Sequence, residues 1–341
     1  MTINAEDELR HSRSSKESPG KRPDLTTNDP DLKARIAWMY YVEGMTQEAI
    51  AERLGIKRLR ILKILAQCRE DGTVQIRVNS KASECVRLAR ELEKTFDLTR
   101  AVVVPRPYEE EKLPEAIGVA TGNYLSEVLT DGMTIGLGWG ETLSRSLKAV
   151  TPRSLRSCTV VSLLGALTKA SAHNPSEFAW RFADLFGAEC YFLAGPVYAP
   201  DEATRDGLFR HVGIGEVVER ARRLDIAVVS VGDLSPQATI ARYNLLSEAD
   251  LTALADAGAV GDVLCHFINE RGEVVDHPVN RRVVAVHPSM IEGTPKLVLA
   301  SGGWRKVKVT MAAIRLLKPS VFITDESAAE EIIARHGNQQ N

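Results

Sequence analysis

The stretch MTIGLGWGETLSRSL, residues 133–147, reads as a β-strand that breaks at a glycine turn and continues as a helix. Its start is short and β-branched, Gly136, Gly138 and Gly140 free the backbone at the turn, and helical composition resumes from Glu141. Backbone amides at such a turn, aided by the helix dipole, favour a ligand that carries negative charge. The spacing is G-x-G-x-G, without the dinucleotide fingerprint or the Lys-Ser/Thr of a Walker loop, so no nucleotide is expected. Six more β-branched runs alternate with helical segments: AVVVP from 101, CTVVSLL from 158, ECYFLA from 189, DIAVVSVG from 225, KLVLASGG from 296 and SVFITD from 320. Strands that alternate with helices predict a three-layer α/β domain around a mostly parallel sheet. SGGWRK, residues 301–306, again follows a strand and opens a helix, so the two turns are expected at the carboxyl ends of strands, where ligands bind in open α/β sheets.

Upstream the pattern is helical. TQEAIAERLGIKRLRILKIL, residues 46–65, has the spacing of a helix-turn-helix: Ala51 lets two helices approach, Gly55 supplies the positive φ of the turn, and Ile56, Ile61 and Leu65 face inward. Thr46 is an N-cap, with Ala49 rather than Glu at the position that would complete a capping box. A preceding helix carries Ile36, Met39, Tyr40 and Val42 on one face and stops near Gly44, and the alternating TVQIRV, residues 73–78, reads as a wing. Residues 32–78 hold nine basic against five acidic side chains on a chain whose net charge is −2, a local excess suited to phosphates. Lys57, Arg58 and Arg60 open the third helix and are candidates for base edges in the major groove, while Thr46, Gln47 and Lys63 are placed for the DNA backbone. Leu59 and Leu62 are expected to pack on the wing or a neighbouring helix. Four segments result: a disordered arm over 1–30, an all-α, winged helix-turn-helix domain over 31–79, a linker helix over 80–97 and an α/β domain over 98–341. On the linker helix Cys85, Leu88, Leu92 and Phe96 form an apolar stripe, predicted to meet a second subunit.

Other classes are excluded by composition. The chain has 341 residues, 44% apolar and 26% charged, an ordinary globular balance. Its apolar runs of about four to six residues are far short of the roughly 20 a membrane span needs, and no secretory h-region opens it, so a cytoplasmic protein with no membrane partner is expected. Five cysteines without a C-x-x-C pair predict neither a disulfide framework nor a structural zinc. GDVLCHFINERGEVVDHPVNRR, residues 261–282, gathers Asp262, His266, Asp276, His277 and Arg281 at spacings that match no metal signature, and no G-x-S-x-G elbow is present. No metal, cofactor or catalytic residue is therefore assigned. His173, His211 and His287 are expected at caps or the surface, and Phe178 and Trp180 in the core.

Four ordered motifs resemble the SorC family of bacterial transcriptional regulators over roughly residues 32–334: ARIAWMYYVEGMTQEAIAERLGI, IGLGWGETL, GDVLCHFINERG with NRR following, and ASGGWRK before MAAIRLLKPSVFITDE. The resemblance implies a helix-turn-helix joined to an effector domain similar to ribose-phosphate isomerases and glucosamine-phosphate deaminases. It implies a homo-oligomer, dimer or tetramer, whose affinity for double-stranded operator DNA of a carbohydrate or polyol operon is set by a sugar, polyol or sugar phosphate. By that resemblance the effector loop falls on Gly136, Gly138, Trp139, Gly140, Glu141 and Thr142, the acidic motif on Asp262 and the basic residue at the helix start on Lys306. Trp139 suits the face of a carbohydrate, charged or neutral. Two positions depart from the family: Lys318-Pro319 stands where a Gly-Gly is common, and Lys57 where a small polar residue usually opens the recognition helix. The alternative is a sugar-phosphate isomerase- or deaminase-like enzyme with an added DNA-binding module, in which Glu141, Asp233 and Asp262 move protons beside a carbonyl.

Overall fold

A computed structural model describes residues 30–74, 83–169 and 173–340, which divide into two compact units between Val74 and Gln75. The predicted arm up to residue 29 and the wing from residue 75 lie outside the described residues.

The first unit is three helices, α1 (Pro30–Tyr41), α2 (Gln47–Leu54) and α3 (Arg58–Glu70). Thr46 Oγ1 accepts from Ala49 N at 3.2 Å, the expected cap of α2. Gly55 ends that helix at φ +65°, with Ile56 N donating to Ala51 O at 2.9 Å and Gly55 N to Glu52 O at 3.2 Å, the paired bonds of a Schellman stop. Ile36, Ile50, Ile61, Ile64 and Leu65 form the core of this unit. Val42 departs from the expectation: α1 ends one residue before it and its side chain is exposed.

The second unit opens with α4 (Ser83–Phe96), β1 (Arg100–Val104), α5 (Leu113–Val128), β2 (Thr134–Leu137) and α6 (Glu141–Ser146). It continues through β3 (Thr159–Ser162), α7 (Pro175–Asp184), β4 (Glu189–Tyr191), α8 (Glu202–Phe209), α9 (Val212–Ala221), β5 (Ile226–Val229) and β6 (Val231–Gly232). Then come α10 (Thr239–Arg242), α11 (Glu248–Asp256), β7 (Ala259–Val263), β8 (His266–Asn269) and α12 (Pro278–Arg281). The chain ends with β9 (Lys296–Ala300), α13 (Val307–Leu317), β10 (Val321–Asp325) and α14 (Glu326–Gln340).

All seven predicted strands join one parallel sheet in the order β1-β10-β9-β5-β2-β3-β4. Alternate residues of each strand feed two separate apolar clusters. Ile226, Val228, Val298 and Ile323 pack with α5, α6 and α7, while Ala227, Val229, Leu299 and Phe322 pack with α4, α9, α13 and α14. Helices therefore cover both faces, as the long apolar strands require. From the middle of the sheet the chain runs outward through β2, β3 and β4 on one side and through β5, β9 and β10 on the other. The crevice between β2 and β5 is thus a topological switch point.

A second sheet, the antiparallel β6-β7-β8, was not legible in the motif GDVLCHFINE. Its hairpin turns on Leu264 and Cys265, both left-handed at φ +50° and +63°, where a two-residue turn ordinarily uses Asn-Gly. Asp262 Oδ2 holds that turn by accepting from Cys265 N at 2.9 Å.

The apolar stripe of α4 does not wait for a second subunit. Leu88 and Leu92 are fully buried in the unit's own core, and the Phe96 ring sits 4.9 Å from that of His336 on α14. Phe178 is core as expected, but Trp180 points outward, 58% exposed. The departure at Lys318 is accommodated: it closes α13 in the left-handed conformation a Gly-Gly would supply, at φ +46°, and pairs with Glu292 at 2.8 Å.

Candidate functional site

Three loops leave the switch point side by side: Gly138–Thr142 after β2, Ser230–Asp233 after β5 and Ser301–Lys306 after β9. They enclose a cavity of about 540 Å³, within the size range of small-ligand sites. Trp139, Gly140, Glu141, Thr142, Asp262 and Lys306 all line it. Gly136 and Gly138 do not; their smallness serves packing. A Cβ on Gly136 would collide with Leu224, and Gly138 N donates to Val228 O at 2.8 Å.

Helix α6 reaches this position because α5 carries Gly118 and Gly122 one turn apart. A Cβ on Gly118 would lie 2.6 Å from Arg145 Cβ and 2.7 Å from Thr142 O, so only glycine lets the two helices close together. Trp139 is buried among core side chains and turns part of its surface to the cavity.

The electrostatics are dominated by carboxylates. Glu141 bonds Arg145 and Arg242, each at 3.0 Å. Burial alone would raise its pKa, and the two guanidinium groups more than reverse this, leaving it below the ordinary value. Asp262, 4% exposed, is pushed up to about 6 by burial, against the pull of Cys265 N–H and Lys306. Lys306 Nζ donates to Val231 O at 3.0 Å. Burial lowers its pKa, while Asp233 and Asp262 raise it.

Because folded Asp262 holds its proton more tightly than an ordinary carboxyl, its contribution to stability is present at low pH and is lost as pH rises through about 6. Between about pH 5 and about pH 7.5 the second unit should lose about 1 to 1.5 kcal/mol on this account. Asp262→Asn should flatten that part of the profile, since the amide oxygen can still accept from Cys265 N. Urea unfolding of both proteins at the two pH values checks this; parallel profiles would refute it.

Of the other polar residues in 261–282, His277 caps α12 through Val279 N at 3.2 Å and Asp276 pairs with Arg281 at 2.6 Å. No group of three metal-ligating side chains occurs among the described residues. His211 and His287 cap as expected, whereas His173 bonds Tyr243 Oη at 3.0 Å. Gln237, Thr239 and Arg242 of the α10 segment and Glu110 and Glu111 before α5 also line the cavity, and no local motif marks them. Only the cavity's position at the switch point could have pointed to them.

In the first unit Lys57, Arg58 and Arg60 stand at the start of α3, Lys63 lies farther along it, and Thr46 and Gln47 open α2. Lys57, Arg58 and Lys63 are exposed, Arg60 is half-buried, and Arg58 Nε lies 2.8 Å from Glu48. Leu59 is 78% exposed and Leu62 47%, so neither is covered by a neighbouring helix, and the wing, the other partner predicted for them, lies outside the described residues from 75 on.

One chain thus carries a three-helix unit and a ligand-sized cavity at the switch point of a parallel sheet. The chain belongs to the SorC family of sugar-binding transcriptional regulators, the model of whose Sugar-bind domain matches residues 80–334. It is 28% identical over 309 residues to the erythritol catabolism regulatory protein EryD of Brucella abortus, covering 90% of this chain and 98% of that protein. It is 26% identical over 308 residues to the transcriptional regulator LsrR of Escherichia coli, covering 88% and 93%. In fold it is similar to the full-length sorbitol operon regulator SorC of Klebsiella pneumoniae, at a TM-score of 0.67 and 23% identity over 90% of this chain and 99% of that one. These relatives are transcriptional regulators, and the enzyme alternative is set aside: the protein is a sugar-responsive, DNA-binding regulator. Among the described residues no helix is long and apolar enough to cross a membrane.

Proposed function

We propose that residues 31–79 bind operator DNA and that residues 98–341 bind a small carbohydrate or polyol, which resets operator affinity in a homo-oligomer. Lys57 and Arg58 read base edges, assisted by Arg60, and Thr46, Gln47 and Lys63 meet phosphates. The effector lies against Trp139, Gly140, Glu141, Thr142, Asp262 and Lys306, with Gly136 and Gly138 shaping the turn beneath. The domain is of the isomerase/deaminase type, put to binding. The observation that carries this reading is the meeting of two glycine turns, far apart in sequence, at one cavity with Asp262 and Lys306. A relative named for erythritol catabolism supports a polyol or sugar as the effector class.

A single helix-turn-helix reads few base pairs, so paired copies on a symmetric operator are required. Coupling of a typical 1 to 3 kcal/mol then changes operator affinity about 5- to 150-fold. The test is an electrophoretic shift titrated with effector. Lys306→Met, which keeps the side-chain stem and deletes the ammonium, should retain operator binding and lose the effector response. A response at the wild-type effector concentration would refute the role given to Lys306.

A further inference from the structure

We propose that the cavity selects an uncharged polyhydroxylated ligand, a polyol or free sugar, over its phosphorylated counterpart. The inference rests on the cavity's being the effector site and concerns only the charge of what enters.

Five carboxylates line the cavity, Glu110, Glu111, Glu141, Asp233 and Asp262, against three cations, Arg242, Arg305 and Lys306. Each cation already faces a protein partner. Arg242 Nη1 bonds Glu141 Oε2 at 3.0 Å, Arg305 Nη2 lies 3.8 Å from Glu110 Oε1, and Lys306 Nζ donates to Val231 O at 3.0 Å within the field of Asp233 and Asp262. A phosphoryl group carrying about −1.5 to −2 charges would have to share these cations with the partners already in place and lie beside the cavity's carboxylates.

At the second glycine turn a backbone donor is already engaged. Gly303 N donates to Asp325 Oδ1 at 2.7 Å, and the fully buried Asp325 also accepts from Ser327 N at 3.1 Å and Ala328 N at 3.3 Å. A protein carboxylate thus already lies against this turn and adds to the negative charge an external anion would meet. At the first turn, Glu141 is itself the opening residue of α6, whose six residues span fewer than two turns. Its charge offsets the helix dipole that would otherwise favour an anion there.

The same wall suits hydroxyl groups. Each ionised carboxylate offers two acceptor oxygens, and neighbouring hydroxyls on a carbon chain donate to them without bringing a charge. Trp139, Leu113 and Ile117 give the C–H faces of such a ligand an apolar floor. The cavity is acidic where it meets oxygen and apolar where it meets carbon.

The experiment is calorimetric titration of the full chain with matched pairs: glucitol and glucitol phosphate, ribitol and ribitol phosphate, ribose and ribose phosphate, with inorganic phosphate as competitor. The neutral member of the binding pair should be at least about tenfold tighter, because like charges brought together at a binding surface are strongly disfavoured. Inorganic phosphate should not compete. A phosphorylated member binding as well or better, or displacement by inorganic phosphate, would overturn the proposal while leaving the effector site standing. If no member of any pair binds, the effector-site reading falls and the proposal falls with it. Glu141→Gln, with circular dichroism as a control for folding, should narrow the neutral preference about tenfold by releasing Arg242. An unchanged ratio in a folded variant would remove Glu141 from the account of charge selection.

Discussion

Gly118→Val is expected to destabilise the C-terminal unit by about 3 kcal/mol, the upper range for forcing extra atoms into a closed contact. The branched side chain would be driven into Arg145 Cβ and the Thr142 carbonyl, and neither is the free end of a flexible chain. The helix α6 would have to move away from α5, taking Trp139 through Thr142 out of register with Lys306. Stability and carbohydrate binding should fall together. Denaturant unfolding followed by calorimetry separates this from a purely local effect, and a variant with wild-type stability would show that α5 and α6 do not touch there.

Lys57→Ala combined with Arg58→Ala should abolish specific operator recognition while leaving the helical unit folded. A lost bidentate base contact costs about 1 to 3 kcal/mol, and a two-fold operator read by two copies doubles this to about 2 to 6. Both side chains are exposed, and the ion pair of Arg58 with Glu48, itself open to water, contributes little to stability. Arg60 is the poorer choice for this test because its half-buried stem packs against the unit. DNA selected from a random pool with the wild-type chain supplies the probe. Undiminished discrimination between that probe and scrambled DNA would displace the recognition surface from the start of α3.

The parallel sheet was legible because most of its strands are short apolar β-branched runs, a pattern that arises when both faces of a strand are buried; the edge strand β4, ECY, is the exception. All seven runs predicted strands that pair. The hairpin of β7 and β8 was not legible, because the signal for a tight turn is chemical and Leu264-Cys265 lacks it; Asp262 fixes the turn through a contact no linear pattern encodes. The stripe on α4 had the right periodicity and the wrong partner: amphipathicity tells that a face is covered, and the covering element is 240 residues away in α14. Within the site, the glycine turns and Lys306 could be found from local composition. Arg242, Glu110 and Glu111 could not, since they reach the cavity only through the order of the strands.

The pairing of β1 with β10 sets the schedule on which this protein can be made. Arg100 meets Val321 and Val104 meets Asp325, so the edge of the sheet is completed by a segment synthesised more than 200 residues after β1. At roughly 5 to 20 residues per second, β1 spends on the order of 10 to 40 s after its own synthesis without its neighbour. The three-helix unit, whose contacts are all local, is complete long before. During translation the three-helix unit is therefore complete while the sheet of the second unit still lacks an edge, and a stop codon placed before residue 320 would leave the first folded and the second without β10.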